Sequence, residues 1–241
     1  MPPIAFAHRG ARAIARDNTI EAFTLALAMG ATGLESDVWV TSDGVPVLDH
    51  DGVVGRLMSR TPIAKTPRAE LPEHIPTLYE LWETCGTDFE LSLDVKDPAA
   101  AIPVIETAQR AAQDFSCDLA ASLWLCHPYW ETVAGWKQRH PEVRVVDSTR
   151  LNRLKDGPER HAARLADAGI DAINMHHSDW TGGLTTLFHR FELLCFGWDA
   201  QYERVLDETF DLGIDGIFSD HVDRMMRSHR TFFGESMGTP K

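Results

Sequence analysis

Short apolar runs recur along the chain, separated by stretches in which apolar residues return every three or four positions. The first pattern predicts strands and the second helices, and their alternation marks βαβ units around a parallel sheet. Strands are expected at residues 4–8, 34–41, 89–96, 123–126, 143–147, 172–175, 193–198 and 216–219. A further short extended piece is expected at 45–48, after the turn Ser42-Asp43-Gly44. Helices are expected at 19–29, 78–84, 100–114, 158–168 and 203–212. Asn18 reads as the N-cap of the first, and Gly30, Gly169 and Gly213 as helix stops. Residues 51–75 carry no clean period and hold Pro62, Pro67 and Pro72, so they read as an insertion after the second strand. Eight strands with helical segments between them favour an α/β fold of the TIM (β/α)8 barrel type. An open doubly wound sheet is the other reading, because periodicity alone does not reveal closure.

The 241 residues suit one such barrel, which typically takes roughly 250. No linker, charge run or repeat divides them, so residues 1–241 are expected to form one domain with the insertion at about 51–75. Lys and Arg number 23 against 36 Asp and Glu, a formal charge of -13. That balance opposes non-specific binding to nucleic acid or anionic lipid and requires any phosphate site to carry its own local positive charge. Cys85, Cys117, Cys126 and Cys195 are widely spaced and form no CxxC pair, which fits reduced thiols in a cytosolic protein. The N-terminal stretch has no signal-like h-region, and no window reaches the ~18 apolar residues of a membrane span. A cytoplasmic protein without stable membrane insertion is expected; the sequence leaves its oligomeric state open.

In a parallel barrel the working residues stand at the carboxyl ends of strands. Strand one ends in His8-Arg9-Gly10, strand two carries Glu35 and Asp37 two apart on one face, and the following piece ends in His50-Asp51. The run 89–96 alternates cleanly, with Leu91, Leu93 and Val95 on one face and Glu90, Ser92, Asp94 and Lys96 on the other. Three carboxylates, Glu35, Asp37 and Asp94, converging on one rim would repel each other. A hard divalent cation such as Ca²⁺ or Mg²⁺ resolves this, and so does ion pairing with Arg9 and Lys96.

The stretch His8-Arg9-Gly10, Asp17-Asn18-Thr19, Glu21-Ala22-Phe23, Gly30, Glu35-Ser36-Asp37-Val38, Thr41, Asp43-Gly44, Val47 and His50-Asp51 resembles the opening of the glycerophosphodiester phosphodiesterase family. Further matches are Ile75-Pro76-Thr77-Leu78, Leu93-Asp94-Val95-Lys96, Trp198-Asp199-Ala200-Gln201, Gly213-Ile214-Asp215-Gly216-Ile217 and Ser219-Asp220. The similarity is dense over residues 4–51, good over 75–96 and 193–220, and thin between. The resemblance implies a TIM barrel with a small insertion after its second strand. It also implies metal-dependent hydrolysis of a glycerophosphodiester to sn-glycerol 3-phosphate and an alcohol. By matching positions it implies Glu35, Asp37 and Asp94 as ligands of one divalent metal ion, Ca²⁺ or Mg²⁺. His8 and His50 become the acid/base pair, and Arg9 and Lys96 the phosphate-holding residues. Asp94 stands where the family more often has Glu, and Gln201 where it has Asn at a pocket edge.

A phosphodiester needs charge neutralisation on its nonbridging oxygens, a deprotonated nucleophile and a protonated leaving oxygen. Imidazoles suit the proton transfers because an unperturbed His titrates near ~6.5. The nucleophile is water or the glycerol 2-hydroxyl, and either histidine fits either role. Trp198 is a candidate for packing on glycerol carbons, and His127, His176 and His177 for the alcohol side or the rim. Tyr129, Trp130 and Trp136 fall at helical spacing and are expected to pack on the barrel; Arg224, Arg227, His229 and Arg230 read as a solvated helix face. Two rival functions use the same barrel. One is a phospholipase D-like enzyme for lysophospholipid or sphingomyelin, with Val53, Val54, Leu57, Met58 and Ile63 as an apolar lip. The other is a non-catalytic barrel that binds a phosphorylated ligand.

Overall fold

The computed structural model describes residues 2–55 and 60–234, and the eight expected apolar runs become eight parallel strands. In chain order the strands are β1 (Ile4–His8), β2 (Gly33–Val40), β3 (Pro46–Leu48), β4 (Val53–Val54), β5 (Thr61–Pro62), β6 (Glu90–Val95), β7 (Leu123–His127), β8 (Arg144–Ser148), β9 (Ala172–His176), β10 (Leu194–Trp198) and β11 (Gly216–Ser219). Hydrogen bonding runs β1-β11-β10-β9-β8-β7-β6-β2, and β1 also pairs with β2, so the ring closes into a barrel. The open-sheet reading is excluded by that last pairing. β3 adds to β2 antiparallel.

The helices are α1 (Ile20–Ala28), α2 (Leu78–Cys85), α3 (Ala101–Phe115), α4 (Trp130–Arg139), α5 (Pro158–Asp167), α6 (Gly182–His189), α7 (Glu203–Asp211) and α8 (Val222–Phe233). Their starts follow from local chemistry. Thr77 and Glu80 form a reciprocal capping box on α2, which fixes where the chain turns from the insertion into the helix. The N-cap of α1 is Thr19, whose hydroxyl accepts from Ala22 N at 3.2 Å. Asn18, expected in that role, is thereby free for the site described below.

The barrel interior is a ring of large aromatics and small partners. Phe6 and Phe218 stack at 4.5 Å between centroids, and Trp124 meets Phe196 edge-on at 5.0 Å. Cys126, Val146 and Ala172 complete this layer. Space for the rings comes from Gly33 and Gly216, where a Cβ would stand 2.6 Å from Phe6 and 2.7 Å from Phe196. Such packing yields a solid floor, above which the carboxyl ends of the strands open.

Within residues 51–75, β4 and β5 form a two-stranded ribbon, and Ile63 is buried in a small cluster with Val47, Leu71 and Ile75. Ile63 therefore does not stand on an apolar lip; its burial is better spent anchoring the excursion beside β3. Val53 and Val54, two further lip candidates, are half-buried in β4, with Val54 packed against the same cluster, and Leu57 and Met58 lie outside the described residues. Trp136 packs into the core and Trp130 against it, as the spacing predicts, but Tyr129 is 67% exposed because it precedes α4 rather than sitting on its inner face. The basic stretch of α8 is not simply solvated. Arg224 donates to the Gln201 carbonyl, Arg227 pairs with Glu203, and His229 is buried against the Pro3 carbonyl. No described helix is long and apolar enough to cross a membrane.

Candidate active site

A cavity of about 480 Å³ opens at the carboxyl ends of the barrel strands. Its lining includes His8, Arg9, Glu35, Asp37, Asp94, Lys96 and Trp198, seven of the eight residues proposed from sequence. Strand register explains the convergence. Residues two apart on a strand point to the same side, and Asp37 on β2 pairs directly with Asp94 on β6, while His8 on β1 pairs with Glu35.

The loop after β1 is bent to serve this cavity. Arg9 (φ 56°) and Gly10 (φ 77°) are consecutive left-handed residues. A Cβ on Gly10 would lie 2.7 Å from the backbone of Ala22, so only glycine lets this loop close against α1. The bend directs the backbone N–H of Arg9 to the Glu35 carboxylate at 3.1 Å and brings its Nε within 3.0 Å of Asp37 Oδ2. That second contact is an ion pair whose N–H is not aligned for a hydrogen bond. Asn18, also left-handed at φ 52°, donates Nδ2 to Asp37 Oδ2 at 3.3 Å and accepts from Ser36 Oγ at 2.7 Å. Strained non-glycine backbone of this kind persists where the surrounding structure holds it, often at functional sites.

The three acids are held differently. Lys96 places its ammonium 2.8 Å from Asp37 and 2.5 Å from Asp94, so it bridges the two. Burial works against ionisation of Asp37, but Lys96, Arg9 and Asn18 outweigh it and hold its carboxyl below the usual range. Glu35 is pushed up to about 7, first by burial and then by the negative charges of Asp37 and Asp94, which outweigh the opposing pull of His8 and Arg9. Lys96, between two carboxylates, is raised despite its burial.

His8 is gripped from behind. Its Nδ1 lies 2.6 Å from Asp220 Oδ1, while Nε2 is 3.7 Å from Glu35 Oε2. Burial alone would lower its pKa, but Glu35 and Asp220 reverse that and raise it. In the sequence Asp220 stands out only as part of the family resemblance. It follows β11 directly, so the same strand-end rule that singled out His8 applies to it. Gln201 lies at the cavity edge, where its Oε1 accepts from Ser219 Oγ and Asp220 N and ties the loop after β10 to the end of β11. Trp198 carries the Arg150 guanidinium 5.5 Å from its ring centre, and Asp179 holds Arg150 through two nitrogens.

His50 is not brought into this cavity. It is paired with Asp51 at 3.0 Å and lines an adjoining cavity of about 160 Å³ with Arg16, Asp17, Asn18, Asp49 and His74. The two cavities share a wall, because Asp49 N donates to the Asp37 carbonyl and Asn18 binds the Asp37 side chain. His127 is buried and accepts from Tyr129 N. His176 contacts Asp199 and the edge of Trp198, and His177 stacks on His176, so these two belong to the rim.

The donor set suits a hard divalent ion in kind, since it offers only carboxylate oxygens. The charge count agrees. The cavity is lined by five acids (Glu35, Asp37, Asp94, Asp199 and Asp220) against three fixed cations (Arg9, Arg12 and Lys96), before any anionic ligand enters. In the arrangement described, however, the oxygens of Glu35, Asp37 and Asp94 are not all within 4.8 Å of one another. Among the described residues the group that meets this measure is His189, Cys195 and Asp215. It lies at the opposite, amino-terminal end of the strands. There Asp215 accepts from Cys195 N and pairs with His189, which joins the start of β10 to the residue before β11. Burial, with Asp215 adding to it, raises the Cys195 thiol and disfavours the thiolate a metal would need.

The Glycerophosphoryl diester phosphodiesterase family profile matches residues 8–224. A Glycerophosphodiester phosphodiesterase of Caldanaerobacter subterraneus subsp. tengcongensis is 34% identical over 245 aligned positions, covering 94% of this chain and 97% of that protein. The fold resembles the crystal structure of a glycerophosphodiester phosphodiesterase from Thermotoga maritima, with TM-score 0.78 and 22% identity over 94% of this chain and 98% of that one. It also resembles an Oleispira antarctica phosphodiesterase solved in complex with the product sn-glycerol-3-phosphate, with TM-score 0.76 and 21% identity over 94% and 96% of the two chains. A profile match running from His8 into α8, and a relative one-third identical along nearly its whole length, make this chain a member of the glycerophosphodiester phosphodiesterase family of enzymes.

Proposed function

We propose that this enzyme hydrolyses glycerophosphodiesters to sn-glycerol 3-phosphate and an alcohol, with a divalent cation and histidine acid/base catalysis. The observation that carries the reading is the meeting of His8, Arg9, Glu35, Asp37, Asp94 and Lys96 around one cavity in a chain of this family. Glu35, Asp37 and Asp94 would hold the ion, Ca²⁺ or Mg²⁺. When bound, the ion supplies positive charge to the nonbridging oxygens of the phosphodiester.

The chain's own residues account for the remaining requirements. Arg9 and Lys96 bind and orient the phosphate and offset the charge that builds on it as the nucleophile approaches. His8, with Nδ1–H donated to Asp220, presents Nε2 for proton transfer; its partner fixes both ring orientation and tautomer. In the overall step a water oxygen bonds to phosphorus and the phosphorus–oxygen bond to the leaving alcohol breaks. One proton leaves the water for an imidazole, and one reaches the departing oxygen from an imidazole. His50 is the second imidazole in this scheme, and to take part it must turn from Asp51 toward the shared wall. The polar lining favours a small hydrophilic diester over an acyl-bearing one. Glycerol 3-phosphate release from glycerophosphocholine, with and without EDTA, tests the reading. Release that EDTA abolishes and Ca²⁺ or Mg²⁺ restores is expected; no release with either ion added would overturn it.

A further inference from the structure

The charges that line the cavity are unevenly placed. Arg9 and Arg12 stand in the loop after β1, Glu35 and Asp37 on β2, and Asp94 and Lys96 at the end of β6, three strands that are consecutive in the barrel ring. On the other side, from β7 round to the loop after β10, the lining is Cys126, Ser148, Asn174, Trp198, Asp199 and Gln201. Among the described residues of that half, Asp199 alone is an ionised side chain. It is also the one acid of the five with no part in the scheme above, since Glu35, Asp37 and Asp94 are assigned to the ion and Asp220 orients His8.

Among the described residues, no fixed cation neutralises Asp199. Its Oδ2 lies 3.2 Å from His176 Nε2, and its Oδ1 accepts from the Gln201 amide at 3.1 Å. Trp198, the residue before it, already carries the Arg150 guanidinium on its ring, but Arg150 is tied to Asp179 and does not line the cavity. A carboxylate beside an aromatic wall is the chemistry that holds an ammonium or quaternary ammonium group. An anion is repelled there, and a neutral alcohol gains nothing from the charge.

A diester whose phosphate sits among Arg9, Lys96 and the ion ligands has two arms to place, and the cavity leads from those residues to Asp199. The glycerol arm is uncharged, so only the leaving alcohol can bring a positive nitrogen. Charge therefore directs the two ends of a zwitterionic substrate to opposite sides of the mouth. We infer that Asp199, with Trp198 as its wall, is the subsite for a cationic leaving alcohol, so that the enzyme prefers diesters whose alcohol bears an ammonium group over neutral ones. The inference rests on the phosphodiesterase reading above and adds to it a selection among alcohols.

The test is kcat/KM for glycerophosphocholine, glycerophosphoethanolamine and the neutral glycerophosphoglycerol, each read as glycerol 3-phosphate released, in wild type and Asp199→Asn. Asparagine keeps the size, keeps an oxygen for Gln201 and tolerates the left-handed backbone at φ 65°. The ratio of kcat/KM on each cationic diester to that on glycerophosphoglycerol is expected to fall roughly three- to tenfold, mostly through KM. The charge reversal Asp199→Lys is expected to lower it further. A fall on both cationic substrates assigns the contact to charge, and a fall confined to one shows which nitrogen the subsite takes. Ratios that fall less than threefold on both, or an equal loss on all three substrates, overturn the subsite. Should neither variant fold, the wild-type ratio decides. It is expected to fall as NaCl is raised, because the attractions of the phosphate are common to both substrates and cancel, and a ratio indifferent to salt overturns the subsite. Failure of the parent reading shows separately, as wild-type enzyme that releases no glycerol 3-phosphate from any of the three, and it takes the subsite with it.

Discussion

Asp220 gives His8 its direction and its charge preference, and both consequences are measurable. Replacing it with Asn keeps a hydrogen-bond partner of the same size but removes the anion. Asp220→Asn is expected to reduce kcat by roughly a hundredfold, within the usual range for acid/base groups, and to lower the His8 pKa followed by NMR. The stability effect has a definite sign. The folded pKa of His8 is raised, so its protonated form stabilises the fold below the unfolded value near ~6.5, and that contribution is lost as pH rises through the folded value. Asp220 is held below the usual carboxylate range, despite its burial, by its bond to His8, and stays ionised across this window. The difference in thermal midpoint between wild type and Asp220→Asn is therefore expected to be largest near pH 5–6 and to shrink toward pH 8. A difference that does not change with pH would mean that the pair acts only through packing. His8→Ala is expected to lose turnover outright while leaving calorimetric binding of Ca²⁺ or Mg²⁺ measurable.

At the scale of elements, the barrel depends on matching ring size against missing side chains. Gly216→Ala places a Cβ against the Phe196 ring and, in a floor this close-packed, is expected to cost about 1–3 kcal/mol in denaturant unfolding. Phe6→Ala, which empties the centre of the same layer, is expected to cost about 3–5 kcal/mol. A cost near zero for both would mean that the floor repacks freely. Strand periodicity was enough to locate all eight barrel strands, because each is a short apolar run bounded by polar turns. Closure was not legible there, since it resides in the pairing of β1 with β2, a contact between segments whose patterns carry no mark of it. The site was legible at strand ends, where Arg9, Glu35, Asp37, Asp94 and Lys96 break the apolar pattern. Asn18 was not, because it looks like a helix cap until Thr19 takes that role. His50 shows the opposite limit, since adjacency in sequence to a strand end did not bring its ring into the cavity.

On the scale of the whole molecule, charge is the controlling quantity. A chain of net charge -13 that acts on an anion must overcome repulsion where the two meet, and the mouth repeats the global imbalance with five acids against three fixed cations. Lys96 and Arg9 neutralise Asp37 and Asp94 between them, and with them engaged in this way little positive charge is left to meet a phosphate. Either these side chains leave their carboxylates when substrate arrives, or a further cation takes the carboxylates and frees them. The second alternative predicts that ion binding stabilises the fold by mass action. At a hundred times its dissociation constant an ion contributes about 2.7 kcal/mol, which for a chain of this size raises the melting midpoint by roughly 5–10 °C. Titrating Ca²⁺ and Mg²⁺ into EDTA-treated protein is expected to show such a rise. Asp94→Ala should remove most of it, and His8→Ala should leave it in place. A midpoint that ignores both ions, in an enzyme still active in EDTA, would give the first alternative the site, with Lys96 as the cation that serves the phosphate.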